Sequence, residues 1–367
     1  MSDKANDITN ITDFVADGKP KGKKKGKWSL ATDILRNQVA KEAALHQMSR
    51  ITNRVRKDPK DQRQHRDIRY VSKVTDNNHG RYIYHDWGEE EANDLFLSYN
   101  VSTESYVSMH DYEVIDTAPG RTERELGTRN VMVFDNDTGE FLVGKVSQRQ
   151  CRECMGKKGD QNRMYKDIAK TLKIKPDIGR GNQRSGLSSA YKIYGFRKDP
   201  KGTAVSMYAF LPNSDEKDKK EALQIIGRLC EKMEKAASRI GNYLAESKIY
   251  KLIQKFAALP SVVQGQLATA MNIGQNYWSK CHVDSDFHYT TLSCLVHPSK
   301  GANDVIYYFC NPVYKIAIPM RPGDILLFNP HITHSVCNPR YQGTFIFSAY
   351  VSKKTVLSHT SDVFLNH

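Results

Sequence analysis

His282 and Asp284 stand two residues apart in the run Asn276-Tyr277-Trp278-Ser279-Lys280-Cys281-His282-Val283-Asp284. On a strand, residues i and i+2 project to the same side, so an imidazole nitrogen and a carboxylate oxygen would face one point. Two further histidines, His331 and His334, follow the run Arg321-Pro322-Gly323-Asp324-Ile325-Leu326-Leu327-Phe328-Asn329-Pro330. A third ligand from a later strand would complete one face of an octahedron. Two imidazoles and one carboxylate leave the opposite positions open, as ferrous oxygen chemistry requires. The iron then supplies the redox step, and the protein supplies position and exclusion. A lone His-x-Asp is weak, because many occur by chance on exposed strands, and satisfied core histidines are the alternative reading. Here the pair precedes a buried-type strand, Tyr289–Val296, and the second block turns at Gly323-Asp324 into the apolar run Ile325–Phe328 before reaching its histidines.

The elements that must position these residues follow from texture. From about residue 264, short apolar runs recur at regular spacing, with turns at 298–303, Pro312, 321–324 and 338–343. That is the texture of a sandwich or jelly roll. Upstream, Leu223, Ile226, Cys230, Met233, Ala237, Ile240 and Leu244 recur in steps of three and four, which predicts helix over 215–258 until Pro260 stops it. Further helices are expected at 158–173 and around Glu89–Tyr99, and a β-hairpin turns at Asn136-Asp137-Thr138-Gly139. The class is α+β. The expected organisation is a disordered basic arm over 1–30, a basic amphipathic helix over 31–67, a mixed α/β region over 68–263 whose helices pack on the barrel, the β core over 264–352, and a tail over 353–367.

The chain has 367 residues and a formal net charge of +14, which favours an anionic partner such as nucleic acid. The arm carries Lys19-Pro20-Lys21-Gly22-Lys23-Lys24-Lys25-Gly26-Lys27, a block that repels itself and suits a nuclear localisation signal or a nucleic-acid arm. No run is apolar enough to span a membrane, and the N-terminus lacks a secretory h-region. Seven scattered cysteines point to a reducing compartment, nucleus or cytoplasm, rather than to a disulfide framework. Cys151 and Cys154 form a CxxC without a matching second pair, so reduced thiols are the expectation there. Arg180 and Arg184, in a Gly-rich loop, are candidate anion contacts, and Asp286 and His288 share the parity of His282 and Asp284 and are candidate substrate contacts.

Strand–His-x-Asp–strand, then Pro-Gly-Asp–strand–x-Pro-x-x-x-His, then the final strand Phe345–Tyr350, resembles the Fe(II)/2-oxoglutarate-dependent dioxygenases over roughly residues 264–352. The resemblance implies a double-stranded β-helix, with His282, Asp284 and His334 as metal ligands; His331, directly after Pro330, matches the distal position less well. The family usually carries an Arg or Lys on the last strand to pair with 2-oxoglutarate. Here that zone reads Gly343-Thr344-Phe345-Ile346. Arg340 is the nearest cation, and Ser348 and Tyr277 are neutral donors for a co-substrate. The chain is most similar to the algal TET/JBP-like branch that modifies 5-methylcytosine, in which a member with the same His-Val-Asp uses ascorbate in place of 2-oxoglutarate. The expectation is an Fe(II)-dependent dioxygenase acting on DNA with 2-oxoglutarate or ascorbate. Two alternatives stand beside it: a prolyl-type protein hydroxylase on the same barrel, and an inactive nucleic-acid-binding jelly roll from a mobile element.

Overall fold

The computed structural model describes residues 66–74, 80–98, 106–116, 130–147, 158–175, 191–198, 205–207, 210–237, 268–286, 290–301, 303–353 and 355. All lie within one unit, Glu42–His367. The arm, the expected helix near 33–57 and the Cys151/Cys154 pair fall outside the described residues.

In chain order the strands are β1 (Arg66–Val71), β2 (Tyr82–Tyr84), β3 (Tyr106–Ser108), β4 (Glu113–Val114), β5 (Asn130–Asp135), β6 (Phe141–Val146), β7 (Tyr191–Lys198) and β8 (Val205–Met207). There follow β9 (Ala270–Gln275), β10 (Thr290–Leu295), β11 (Tyr307–Asn311), β12 (Ile316–Met320), β13 (Ile325–Phe328), β14 (Ser335–Val336) and β15 (Phe345–Tyr350). The helices are α1 (Glu90–Ser98), α2 (Lys158–Leu172) and α3 (Glu216–Ala237).

Nine strands form one sheet in the order β1-β5-β6-β13-β10-β15-β9-β7-β8, and four form a second in the order β14-β11-β12-β4. From β9 onward the chain winds between them. It leaves β9, crosses to pair His282 with His334 beside β14, returns to β10, crosses to β11 and β12, returns to β13, crosses to β14 and ends in β15. That winding is a double-stranded β-helix, a jelly roll.

The large sheet is buried on both faces, so its strands read as apolar runs rather than as alternation. Phe345, Phe347 and Ala349 of β15 face α2 and α3, against Ile168, Leu172, Ile226, Leu229, Cys230 and Met233. Ile346 of the same strand faces inward, with Leu292, Leu326 and Phe328, against Phe309, Ile316 and Ile318 of the small sheet. Each such side chain, fully buried, contributes about 1.5–3 kcal/mol. The outer face of the small sheet buries Cys281, Cys310, Ala317 and Cys337 under Ile83, Met109 and Tyr112. The five described cysteines are free and buried. Burial pushes the thiols of Cys281 and Cys337 up to about 12, which keeps them protonated.

The boundary expected at 264 does not interrupt the sheet. β5 and β6 extend it on one side through β13, and β7 extends it on the other through β9. The hairpin at 136–139 joins β5 to β6: Asp135 Oδ1 accepts from the backbone N–H of Asp137 and Thr138 at 2.8 and 2.7 Å, and Gly139 takes φ 69°. A buried charge ties this added ribbon to the small sheet. Lys145 of β6 is fully buried; its Nζ donates to Asp116 Oδ1 at 2.6 Å and to the Pro319 carbonyl at 3.1 Å. Asp116 also accepts from both Arg321 Nη atoms, at 3.3 and 2.7 Å.

Candidate metal centre

The turn out of β9 aims the ligand strand. Gly274 is required there, because a Cβ would lie 2.7 Å from Tyr277 Cβ. Asn276 takes φ 52°, and its Oδ1 accepts from the N–H of Gly343 and Thr344 at 2.7 and 3.2 Å. Trp278 then plugs fully buried against Tyr82, its indole N–H donating to the Ile83 carbonyl at 3.1 Å. The next residues run between two neighbours. On one side the Cys281 N–H donates to the Arg81 carbonyl at 2.8 Å. On the other, His282 and His334 exchange backbone N–H···O bonds of 2.9 Å each, and the Asp284 N–H donates to the Pro330 carbonyl at 2.8 Å.

These pairings converge three side chains. Asp284 Oδ2 lies 3.5 Å from His282 Nε2 and 3.5 Å from His334 Nε2. Among the described residues, these three form the one cluster whose ligand atoms all lie within 4.8 Å of one another. Neighbouring ligands about 2.1 Å from an octahedral ion lie about 3 Å apart, so the set closes on a metal with small movements. Each imidazole is set by a carbonyl two residues upstream on its own strand: His282 Nδ1 lies 2.6 Å from the Lys280 oxygen, and His334 Nδ1 lies 2.8 Å from the Ile332 oxygen. With Nδ1–H donating there, Nε2 presents its lone pair to the centre.

The electrostatics agree. Burial would raise Asp284, but the facing His282 and His334 rings hold its carboxyl well below the usual carboxylate range, so it is a charged ligand at neutral pH. Burial, and secondarily the neighbouring His282, pushes His334 down, which favours the neutral, ligating imidazole. His334 is walled by Phe328 and Phe309, at ring-centroid distances of 4.7 and 5.6 Å. His282 and Asp284 are half-buried, so the centre opens on their side. Two nitrogens and one carboxylate oxygen on one face fit ferrous iron with open positions.

The other expected residues distribute unevenly. His331 is exposed at a turn, where its N–H donates to Asn329 Oδ1 at 3.0 Å, and it is not part of the cluster. Ser348 projects inward on β15, on the same parity as Ile346, and Tyr277 packs against the inner core. Asp286 accepts from Thr290 Oγ1 at 2.9 Å. Arg340 is not brought to the site. Its guanidinium binds Glu89 and sits over Trp87, whose ring stacks on Tyr308 at the outer face of the small sheet. Arg180, Arg184 and His288 lie outside the described residues. Two inward polar residues went unread in the sequence. Asn272 faces Ser348 across β9 and β15, and Tyr350 Oη donates to Asn272 Oδ1 at 3.0 Å. Parity with Ser348 was the available signal.

In strand winding and ligand triad the chain resembles the Fe(II)/2-oxoglutarate-dependent dioxygenases. No protein-family model matches it, and no curated protein matches it. Similar solved structures include NgTET1 in complex with 5mC DNA, at 13% identity and TM-score 0.39, covering 72% of this chain and 88% of that one. A 2OG-Fe(II) oxygenase-family oxidoreductase from Burkholderia pseudomallei is similar at 12% identity and TM-score 0.32, over 65% of this chain and 94% of that one. A Pseudomonas putida prolyl-4-hydroxylase is similar at 10% and 0.29, over 58% and 93%. At TM-scores below 0.5, the fold rests on the chain's own strand order and not on these likenesses.

Proposed function

We propose that the protein is an Fe(II)-dependent dioxygenase that oxidises 5-methylcytosine in DNA, in the nucleus. The observation that carries the enzymatic reading is the convergence of His282 Nε2, His334 Nε2 and Asp284 Oδ2 inside a jelly roll. Iron, when bound, supplies the redox chemistry that activates dioxygen. The residues do the rest. His334, pressed between Phe309 and Phe328, gives a dry and rigid side to the centre. His282 and Asp284 form its open side, where a base taken out of the stack can approach. The net charge of +14 and the lysine run before residue 28 support a polyanionic substrate.

The co-substrate reading favours ascorbate. β15 reads Phe-Ile-Phe-Ser-Ala-Tyr and carries no cation, and Arg340 is engaged with Glu89. Among the described residues, the inward polar side chains of β9 and β15 include the neutral Asn272, Ser348 and Tyr350, and Tyr277 packs on the same inner core. Neutral donors suit a hydroxyl-rich ligand, whereas a buried carboxylate without a cation would be costly.

The test is anaerobic reconstitution with Fe(II), then incubation in air with methylated DNA and either ascorbate or 2-oxoglutarate, read by nucleoside mass spectrometry. Loss of 5-methylcytosine with ascorbate is expected. Turnover with 2-oxoglutarate alone would overturn the co-substrate reading. Stoichiometric iron without any change in the nucleosides would overturn the DNA substrate, and a chain that takes up no iron would overturn the whole proposal.

A further inference from the structure

The strands that carry the candidate ligands are joined by four backbone hydrogen bonds, from Asp284 to Pro330, both ways between His282 and His334, and from Ser279 to Val336. β14 is two residues long and pairs with β11 through two residue pairs, Phe309 with Val336 and Cys310 with Ser335. The pairing of His282 with His334 is an isolated bridge. Strand register is weakly specified when pairing is this short, and a slip of one residue turns every side chain to the opposite face. A slip here would aim Cys281 or Val283, in place of His282, at the centre.

Two buried hydroxyls lie directly behind the histidines. Ser335, the residue after His334, has no exposed surface; its Oγ donates to the Ser279 carbonyl at 2.7 Å. Ser279, three residues before His282, is 1% exposed, and its Oγ accepts from the Val336 N–H at 2.9 Å. The Ser279 N–H in turn donates to the Val336 carbonyl at 3.2 Å. Each serine thus grips the other strand's backbone, and both bonds are lost if either strand moves by one residue.

We propose that Ser279 and Ser335 are positioning residues of the metal centre, a reciprocal side-chain clasp that sets the register between the His282–Asp284 strand and the His334 strand. The proposal rests on the metal reading above and adds what determines its geometry. The serines touch no ligand atom and act through the backbone that carries the ligands. Loss of one should therefore cost affinity on the scale of a supporting shell, about 10–100-fold.

The experiment compares the full-length wild type with Ser335→Ala, Ser279→Ala, Ser335→Thr and Ser335→Val. Thr and Val have nearly equal volume and differ in the hydroxyl, so that pair separates the hydrogen bond from packing. Co(II), titrated anaerobically, reports affinity and, through its ligand-field absorption, coordination geometry; thermal unfolding of the metal-free proteins is recorded alongside. Expected is about a 10–100-fold weaker Co(II) Kd for both alanine variants and for Ser335→Val, with an altered ligand-field band, and recovery towards wild type in Ser335→Thr. A purely structural role would lower the melting temperature and leave Kd and the band as in wild type, which would overturn the proposal. So would equal Kd values for the Thr and Val variants. A wild type that binds no Co(II) and no Fe(II) overturns the metal reading and this inference with it, whereas tight binding by wild type and alanine variants alike overturns the inference alone.

Discussion

Replacing Asp116 by asparagine should cost the fold far more than a surface ion pair does. The Lys145 side chain has no exposed surface, and its ammonium donates to Asp116 at 2.6 Å and to the Pro319 carbonyl at 3.1 Å. The neutral amide leaves that charge buried against uncharged oxygens only and takes the bidentate anionic partner from Arg321. Breaking a buried pair on one side costs about 3–5 kcal/mol. Asp116 keeps 27% side-chain exposure and Arg321 21%, so water can relieve part of the loss, and about 3 kcal/mol is expected. Lys145→Met should cost less, and the double variant less than the sum of the two, because the methionine leaves no stranded ammonium. Burial would raise the Asp116 carboxyl, but Lys145 and Arg321 hold it well below the usual range. A carboxylate whose folded value lies below its unfolded value of about 3.9 stabilises the fold above that pH, and ceases to do so as the pH falls through the folded value. The gap between wild type and Asp116→Asn should therefore be constant from about pH 7 to pH 5 and narrow below about pH 4. Urea unfolding of the four proteins across that range measures it. A cost under about 1 kcal/mol, strict additivity, or a gap that widens in acid would refute the reasoning.

Three more expectations can be checked directly. His282→Ala, Asp284→Ala and His334→Ala should each abolish stoichiometric iron after anaerobic dialysis, while His331→Ala keeps most of it; the reverse order for the two late histidines would mean the wrong ligand has been chosen. Arg340→Ala should leave turnover with either co-substrate nearly unchanged and cost at most about 1 kcal/mol, since its partly exposed pair with Glu89 lies off the centre; loss of turnover would return it to the co-substrate pocket. Deleting residues 1–57 should weaken DNA binding and flatten its salt dependence, and equal slopes with and without the segment would make the lysines a solubility tail.

The candidate ligand residues could be picked out because the chemistry they suggest is carried by local spacing. His282 and Asp284 share a face through strand parity alone, and the Pro322-Gly323-Asp324 turn announces the strand that leads to His334. Helices at Glu90 and Lys158 were expected, and the one from Glu216 was legible from period, the part of its expected 215–258 span after Ala237 lying outside the described residues; the hairpin was legible from Asp137-Thr138-Gly139. What was hidden depends on partners distant in sequence. β5 and β6 join β13 after some 180 intervening residues, and no local pattern states that register. Lys145 looks like a surface lysine until Asp116 and Arg321 close on it. Arg340 looked like the nearest available cation because Glu89, 251 residues earlier, is invisible from its own segment. The inward pair Asn272 and Tyr350 likewise becomes meaningful only once β9 and β15 lie side by side.

Each of the two imidazoles is held by a carbonyl on its own strand, Lys280 for His282 and Ile332 for His334. Imidazoles held by the backbone in this way leave a centre little scope to choose its occupant by reshaping around it. Selection then follows the intrinsic order of divalent ions for nitrogen and oxygen donors, in which copper and zinc outrank ferrous iron. Such a site is exposed to mismetallation by copper or zinc, and the proposed activity would report the local iron supply as much as the chain's own catalytic power.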